Sequence, residues 1–150
     1  MCRRMQNVDA GQNLNAMKLF VFGTLKRGFA LHEKGLAPAP FLGGFRTVQP
    51  FPMVIAGPWY APMMINRPGM GLRVLGELYE VDTQQLAIVD GLESTGTPGN
   101  FRVLIDVSPE AGGSSVEAMV YMKATELAVP LHSTCLNEYL DDRFVPQWQR

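Results

Sequence analysis

A small α+β domain is what this sequence predicts: a mixed β-barrel or strongly coiled sheet with short helices outside it. Three observations carry that expectation. Roughly five to seven short strand-like segments stand among two or three short helical ones. The helices do not alternate regularly with the strands, which argues against a doubly wound parallel sheet, and no internal repeat is visible. The 150 residues are 47% apolar and 18% charged, enough for one real core. Residues 17–150 are expected to form a single domain, with residues 1–16 as a polar, unpatterned tail.

The first strand is the strongest. Leu19 to Phe22 is an unbroken apolar run, suited to a strand buried on both faces, and it stops abruptly at Gly23. Gly23 and Gly28 bracket four residues, so a tight loop follows. Ala30 to Leu36 predicts a short helix closed by Pro38 and Pro40, and Phe41 to Val48 a strand carrying two glycines. Met53 to Ile55 and Met63 to Ile65 are short strands around the aromatic loop Gly57 to Pro62. Leu72 to Val81 is the second strong strand, where Gly76 predicts a bulge or a close backbone approach. Asp82 and Gln85 predict a capping box, with Gln85 reaching back, for a helix through Val89 that ends with Gly91 as its cap. Phe101 to Val107 and Val116 to Lys123 predict a hairpin about Gly112 to Ser115. Ser133 or Thr134 is placed to cap a last short helix through Leu140.

Composition narrows the function. A net charge of −1 without a dense basic run argues against nucleic acid as a partner. No apolar run approaches the length of a membrane span, and no apolar segment follows the basic start as in a signal peptide. Two cysteines, Cys2 and Cys135, are too few for a disulfide framework or a zinc site, so a reduced, cytoplasmic setting is expected. His32 and His132 stand apart and are read as surface or loop residues; with no HExxH or CxxC spacing, no metal site is expected. Cys135 is read as a small buried or half-buried thiol.

What remains is a loop and three acids. Consecutive amides in a strand-end turn form a concave anion cradle, and the Gly23–Gly28 segment is either such a cradle or an ordinary strand-to-loop turn. It lacks the Lys-Ser/Thr pair of a P-loop. Lys26 and Arg27 flank it, as solvated turn residues or as carboxylate attractors, and Trp59 and Tyr60 either line a pocket or pack a loop. Glu77 is read as a strand acid facing solvent or covering a ladder edge, and Asp90 as bonding nearby amides at the helix end. Glu93 follows Leu92, a residue drawn to the core. It is therefore either an exposed loop acid or a carboxylate in a partly apolar pocket, where desolvation would make it a base near neutral pH.

Read together, FVFGTLKRG, PFPMVIAG, GELYEVD, VDGLE and FRV resemble, in the same order, the motifs of the γ-glutamyl cyclotransferase-like family, within it most the γ-glutamylamine cyclotransferases, over roughly Lys18 to Lys123. The resemblance implies a compact β-barrel with flanking helices. It implies a metal-free, cofactor-free enzyme acting on a small γ-glutamyl amine or γ-glutamyl amino acid. In that reaction the γ-glutamyl α-amine attacks its own γ-carbonyl, releasing 5-oxoproline and a free amine. The family's catalytic acid falls on Glu93 and its substrate-binding loop on Phe22, Gly23, Thr24 and Leu25. The family has tyrosine where this chain has Phe22 and Phe101, which leaves a non-catalytic binding or regulatory module on the same scaffold as the alternative.

Overall fold

The computed structural model describes residues 16–150. The tail expected over residues 1–16, Ala16 apart, and Cys2 lie outside the described residues. Strand β1 (Met17–Val21) has Leu19 and Phe20 fully enclosed, as its apolar run requires. Side chains alternate across a strand, so Phe20 joins Phe45, Leu78, Val107 and Val120 in one cluster, while Leu19 and Val21 join Tyr79, Val81, Leu86 and Val89 in another. Burying each large apolar side chain is worth about 1.5–3 kcal/mol, which pins this strand at the centre of the molecule.

The barrel closes in the order β1, β5 (Leu75–Val81), β2 (Phe41–Thr47), β6 (Asn100–Pro109), β7 (Val116–Lys123) and back to β1. Every pairing is antiparallel except the closing one, β1 with β7. Leu19 lies opposite Tyr79 and Phe20 opposite Leu78, so the two strong strands of the sequence pair directly. β6 and β7 form the expected hairpin, in register from Asn100 opposite Lys123 to Val107 opposite Val116. A separate hairpin, β3 (Met53–Ala56) with β4 (Ala61–Met64), packs Met53, Ile55 and Met64 onto the barrel core. Helix α1 (His32–Gly35) is a single turn, and α2 (Thr83–Leu92) covers the outer cluster through Leu86 and Val89. Among the described residues no helix is long and apolar enough to cross a membrane.

Gly76 makes the close approach expected of it: a Cβ there would lie 2.4 Å from the Val21 carbonyl oxygen. The bulge sits instead in β2, between Phe41 and Gly43. Asp82 caps α2 by accepting from the Gln85 amide at 2.8 Å, but the Gln85 side chain does not reach back; it donates to the Gly35 carbonyl and ties α2 to α1.

The helix expected over Ser133–Leu140 is absent, and the cause is tertiary pairing. His132 and Leu136 donate their amides to Ile55 and Met53, and Asn137 accepts from the Leu75 amide. Ser133 Oγ, instead of capping a helix, accepts from the Ile55 amide at 2.8 Å. A helix would withdraw those groups and leave the edge of β3 unpaired. Cys135, on this extended run, is exposed rather than buried.

Candidate active site

β1 hands the chain to the turn at Phe22–Leu25, and three carbonyls set its shape. Gly23 O accepts from the Lys26 amide, Thr24 O from the Leu31 amide, and Leu25 O lies 3.0 Å from His32 Nδ1. Among the described residues nothing accepts from the amides of Gly23, Thr24 or Leu25. Engaged carbonyls beside three consecutive amides that have no partner among the described residues are what an anion cradle requires. Gly23 is needed for space, since a Cβ there would lie 2.5 Å from Pro62 Cγ, and Gly28 for its φ of +86°.

Two flanking residues fall elsewhere than the sequence suggests. Lys26 is not a solvated turn residue: it is only 6% exposed, and its ammonium donates to the Tyr139 carbonyl at 2.9 Å. Burial holds its pKa below the usual lysine value, although Glu138, Glu77 and Glu110 act in the opposite sense. Glu77 does not face solvent. Its Oε1 accepts from the Arg27 amide at 3.0 Å and the Tyr79 hydroxyl at 2.9 Å, bracing the far end of the turn. His32 is buried in a helical turn and is not the surface or loop residue expected, whereas His132 is a half-buried loop residue, stacked on Tyr60 with its Nε2 2.9 Å from the Gly57 carbonyl oxygen.

Opposite the turn, α2 runs past the expected cap. Gly91 lies inside the helix, and Ser94 takes the left-handed conformation, φ +57°. The Ser94 amide donates to Gly91 O and the Thr95 amide to Asp90 O, the paired bonds that close a helix C-terminus. This sets Glu93 at the C-cap, half-buried, with its own amide on Val89 O. Glu93 lines two adjoining spaces. One is a small recess of about 30 Å³ walled by Phe22–Leu25, Pro62 and Tyr121; the other is a cavity of about 270 Å³ that also touches Thr24, Trp59, Asn100 and Lys123. Desolvation pushes the Glu93 carboxyl above the usual carboxylate range, and the Lys123 ammonium draws it part of the way back. Burial likewise lowers Lys123, partly offset by Glu93. The negative end of a helix works against a carboxylate in the same sense as desolvation.

The five residues singled out by sequence thus meet at one place: Phe22, Gly23, Thr24, Leu25 and Glu93 all wall the recess. Trp59 lines the larger cavity, while Tyr60 packs a loop between His132 and Arg143. Of the two aromatic departures, Phe22 lines the recess; Phe101 lines neither space and packs against the barrel core. Asn100, Lys123 and Tyr121 went unnoticed in the sequence, because only the register of β6 with β7 brings them to Glu93. Among the described residues no three His, Cys, Asp or Glu side chains are grouped to hold a metal ion.

Asp90 is structural by a route other than nearby amides. It receives Arg102 through Nε at 2.8 Å and Nη2 at 3.3 Å, and the Tyr121 hydroxyl at 2.7 Å. Burial and the Asp90 carboxylate both push the Tyr121 pKa up, so the phenol stays a donor. Asp90→Ala leaves both donors unpaired and is expected to destabilise the fold by about 2–3 kcal/mol, read as a lowered urea midpoint at unchanged slope.

A family model described as gamma-glutamyl cyclotransferase, AIG2-like, matches residues 19–140. The chain is 38% identical over 126 residues to a gamma-glutamylaminecyclotransferase of Bos taurus, covering 81% of this chain and 74% of that protein. It is 41% identical over 118 residues to one of Rattus norvegicus, covering 71% and 78%. The crystal structure of an AIG2-like protein from Mus musculus superimposes with a TM-score of 0.73 at 35% identity, covering 91% of this chain and 99% of that one. On the family match and on these identities, the chain belongs to the AIG2-like gamma-glutamyl cyclotransferase family.

Proposed function

We propose that the protein is a γ-glutamylamine cyclotransferase in which Glu93 is the general base and acid and the amides of Gly23–Leu25 hold the anions. The observation that carries this is the recess itself: one desolvated carboxylate shares it with three main-chain donors that have no partner among the described residues. The names of the bovine and rat relatives support the substrate class, a small γ-glutamyl amine or γ-glutamyl amino acid.

The chemistry needs little else. The substrate α-amine has a pKa of about 8, so much of it is protonated at neutral pH. Glu93 takes that proton, the freed amine attacks the γ-carbonyl, and the carbonyl oxygen becomes an oxyanion. Its charge, or that of the α-carboxylate, is met by the turn amides; one oxyanion donor is typically worth about 3 kcal/mol. The attack leaves one surplus proton on the ring nitrogen. The C–N bond to the outgoing amine breaks as Glu93 returns its first proton to that amine, and the regenerated carboxylate takes the surplus proton and releases it to solvent, leaving 5-oxoproline. Because nucleophile and electrophile belong to one molecule, orientation alone contributes roughly 7 kcal/mol or more. Every charge that develops has a partner in this set, so a metal ion is not required by the mechanism. A cytoplasmic setting fits the low cysteine count.

The test is mass-spectrometric detection of 5-oxoproline across a panel of γ-glutamyl amines and γ-glutamyl amino acids, γ-glutamyl-ε-lysine included. Release of 5-oxoproline with stoichiometric free amine from at least one of them is expected. Saturable binding without product would favour the binding module instead, the outcome to which the phenylalanines at 22 and 101 point.

A further inference from the structure

The residue after Glu93 takes an unfavourable shape, and a chain of side chains runs from it to Lys123, which lines the same cavity as Glu93. Ser94 is not a glycine, yet its φ is +57°, a conformation that costs a non-glycine residue energy unless its surroundings impose it. The two helix-closing amide bonds described above already favour it, and the bonds that further hold the Ser94 carbonyl can be followed one by one. Ser94 O accepts from Thr97 Oγ1 at 2.7 Å and from the Thr97 amide at 3.2 Å. Thr97 Oγ1 in turn accepts from Asn100 Nδ2 at 2.6 Å. Asn100 Oδ1 accepts from Lys123 Nζ. Asn100 and Lys123 are directly opposed in the β6–β7 ladder, so the far end of this chain is anchored in the barrel wall. Lys123, Asn100, Ser94 and Glu93 all line the same cavity.

We infer that Lys123, acting through Asn100 and Thr97, is a positioning residue for Glu93: it fixes the turn that aims the carboxylate and supplies the one ammonium that lines its cavity among the described residues. The inference rests on Glu93 being the base proposed above. The chain does two separable things. Thr97 and Asn100 hold the backbone that follows Glu93, which governs where the carboxylate points. Lys123 adds a positive charge that eases ionisation of a carboxylate otherwise penalised by desolvation. The other titratable or charged groups around Glu93 are Tyr121 on β7, whose hydroxyl is committed to Asp90 (itself paired with Arg102), and Arg150 of the terminal segment, whose Nε is bonded to the Val145 carbonyl.

The experiment uses the full chain carrying ¹³C-labelled glutamate and compares wild type with Lys123→Met, Lys123→Gln, Lys123→Arg and Thr97→Val. The Glu93 carboxyl midpoint is read by carbon-detected NMR, assigned with Glu93→Gln, beside the pH profile of kcat/KM. Lys123→Met is expected to raise the Glu93 midpoint by roughly one unit, and the acid limb of kcat/KM with it. Lys123→Arg should restore both. Lys123→Gln, which keeps an amide toward Asn100, should show the same rise should Lys123→Met fold poorly. Thr97→Val should leave the midpoint in place while lowering kcat about tenfold at nearly constant KM and unchanged 5-oxoproline affinity. An unmoved midpoint in both neutral Lys123 variants, or a wild-type kcat in Thr97→Val, overturns the inference. The NMR midpoint is independent of turnover. Absence of 5-oxoproline from the wild type would therefore overturn the proposed reaction, with the Lys123 coupling to Glu93 still judged by the midpoint.

Discussion

Glu93→Gln is expected to lose between about 10² and 10⁴ of kcat, the range that a single positioned acid–base group contributes, while still binding 5-oxoproline. The substitution keeps the size of the side chain in the recess and removes only its proton chemistry. Its effect on the fold should have the opposite sign. The Glu93 pKa is raised in the folded state by desolvation. A carboxyl whose folded pKa exceeds its unfolded one binds protons more readily when folded, so it costs no stability below the ordinary carboxylate range. The penalty develops as pH climbs through that range and is complete above the elevated folded value. Glutamine never pays it. The variant should therefore match the wild type in acid and melt no lower than it at pH 7–8. A pH series of thermal melts beside single-turnover kinetics checks both halves. Wild-type turnover in Glu93→Gln would remove Glu93 from the chemistry, and a variant less stable at pH 8 than at pH 5 relative to wild type would contradict its desolvation.

The parts of this site that were legible in the sequence share one property: their signal is local. The apolar run Leu19–Phe22 and the glycines at 23 and 28 specify a buried strand and a tight turn within ten residues, and Leu92 beside Glu93 places one acid near the core. What escaped depends on register or on distant pairing. Glu77 reads as an ordinary strand acid until Val21 is set opposite it, which brings it to the Arg27 amide. Lys123 is simply the last residue of a strand until Asn100 faces it. Lys26 sits in a polar string, and only the carbonyl of Tyr139, 113 residues away, explains its burial. Gly91 was the natural candidate to end α2 on propensity; the left-handed residue is Ser94, held there by Thr97. The Ser133–Leu140 run has local helix signals that lose to three pairings with the β3 and β5 edges.

Gly23→Ala should cost nearly as much activity as removing the carboxylate, by a purely steric route. The added methyl would sit 2.5 Å from Pro62 Cγ, closer than real contacts allow, and a tight 3.0 Å from Pro62 Cβ. Pro62 lies on β4, opposite Ile55 in the ladder, and its ring has little freedom to turn aside. The turn must therefore yield, and its amides with it. A displacement near 1 Å at a reacting centre costs on the order of 10²-fold in rate. Because the same amides are proposed to hold the product carboxylate or the oxyanion, 5-oxoproline affinity should fall along with kcat, unlike in Glu93→Gln. Overpacking of this kind typically destabilises by about 1–3 kcal/mol, so stability alone does not identify the cause. The double variant Gly23→Ala/Pro62→Ala does, since removing the ring opens the space the methyl needs. If the clash acts through the turn, the double variant recovers both turnover and 5-oxoproline binding beyond what the two single changes predict, a coupling measurable as a double-mutant cycle. Strict additivity would mean that Gly23 matters for some reason other than Pro62, and the cradle geometry argued from their contact would fall with it.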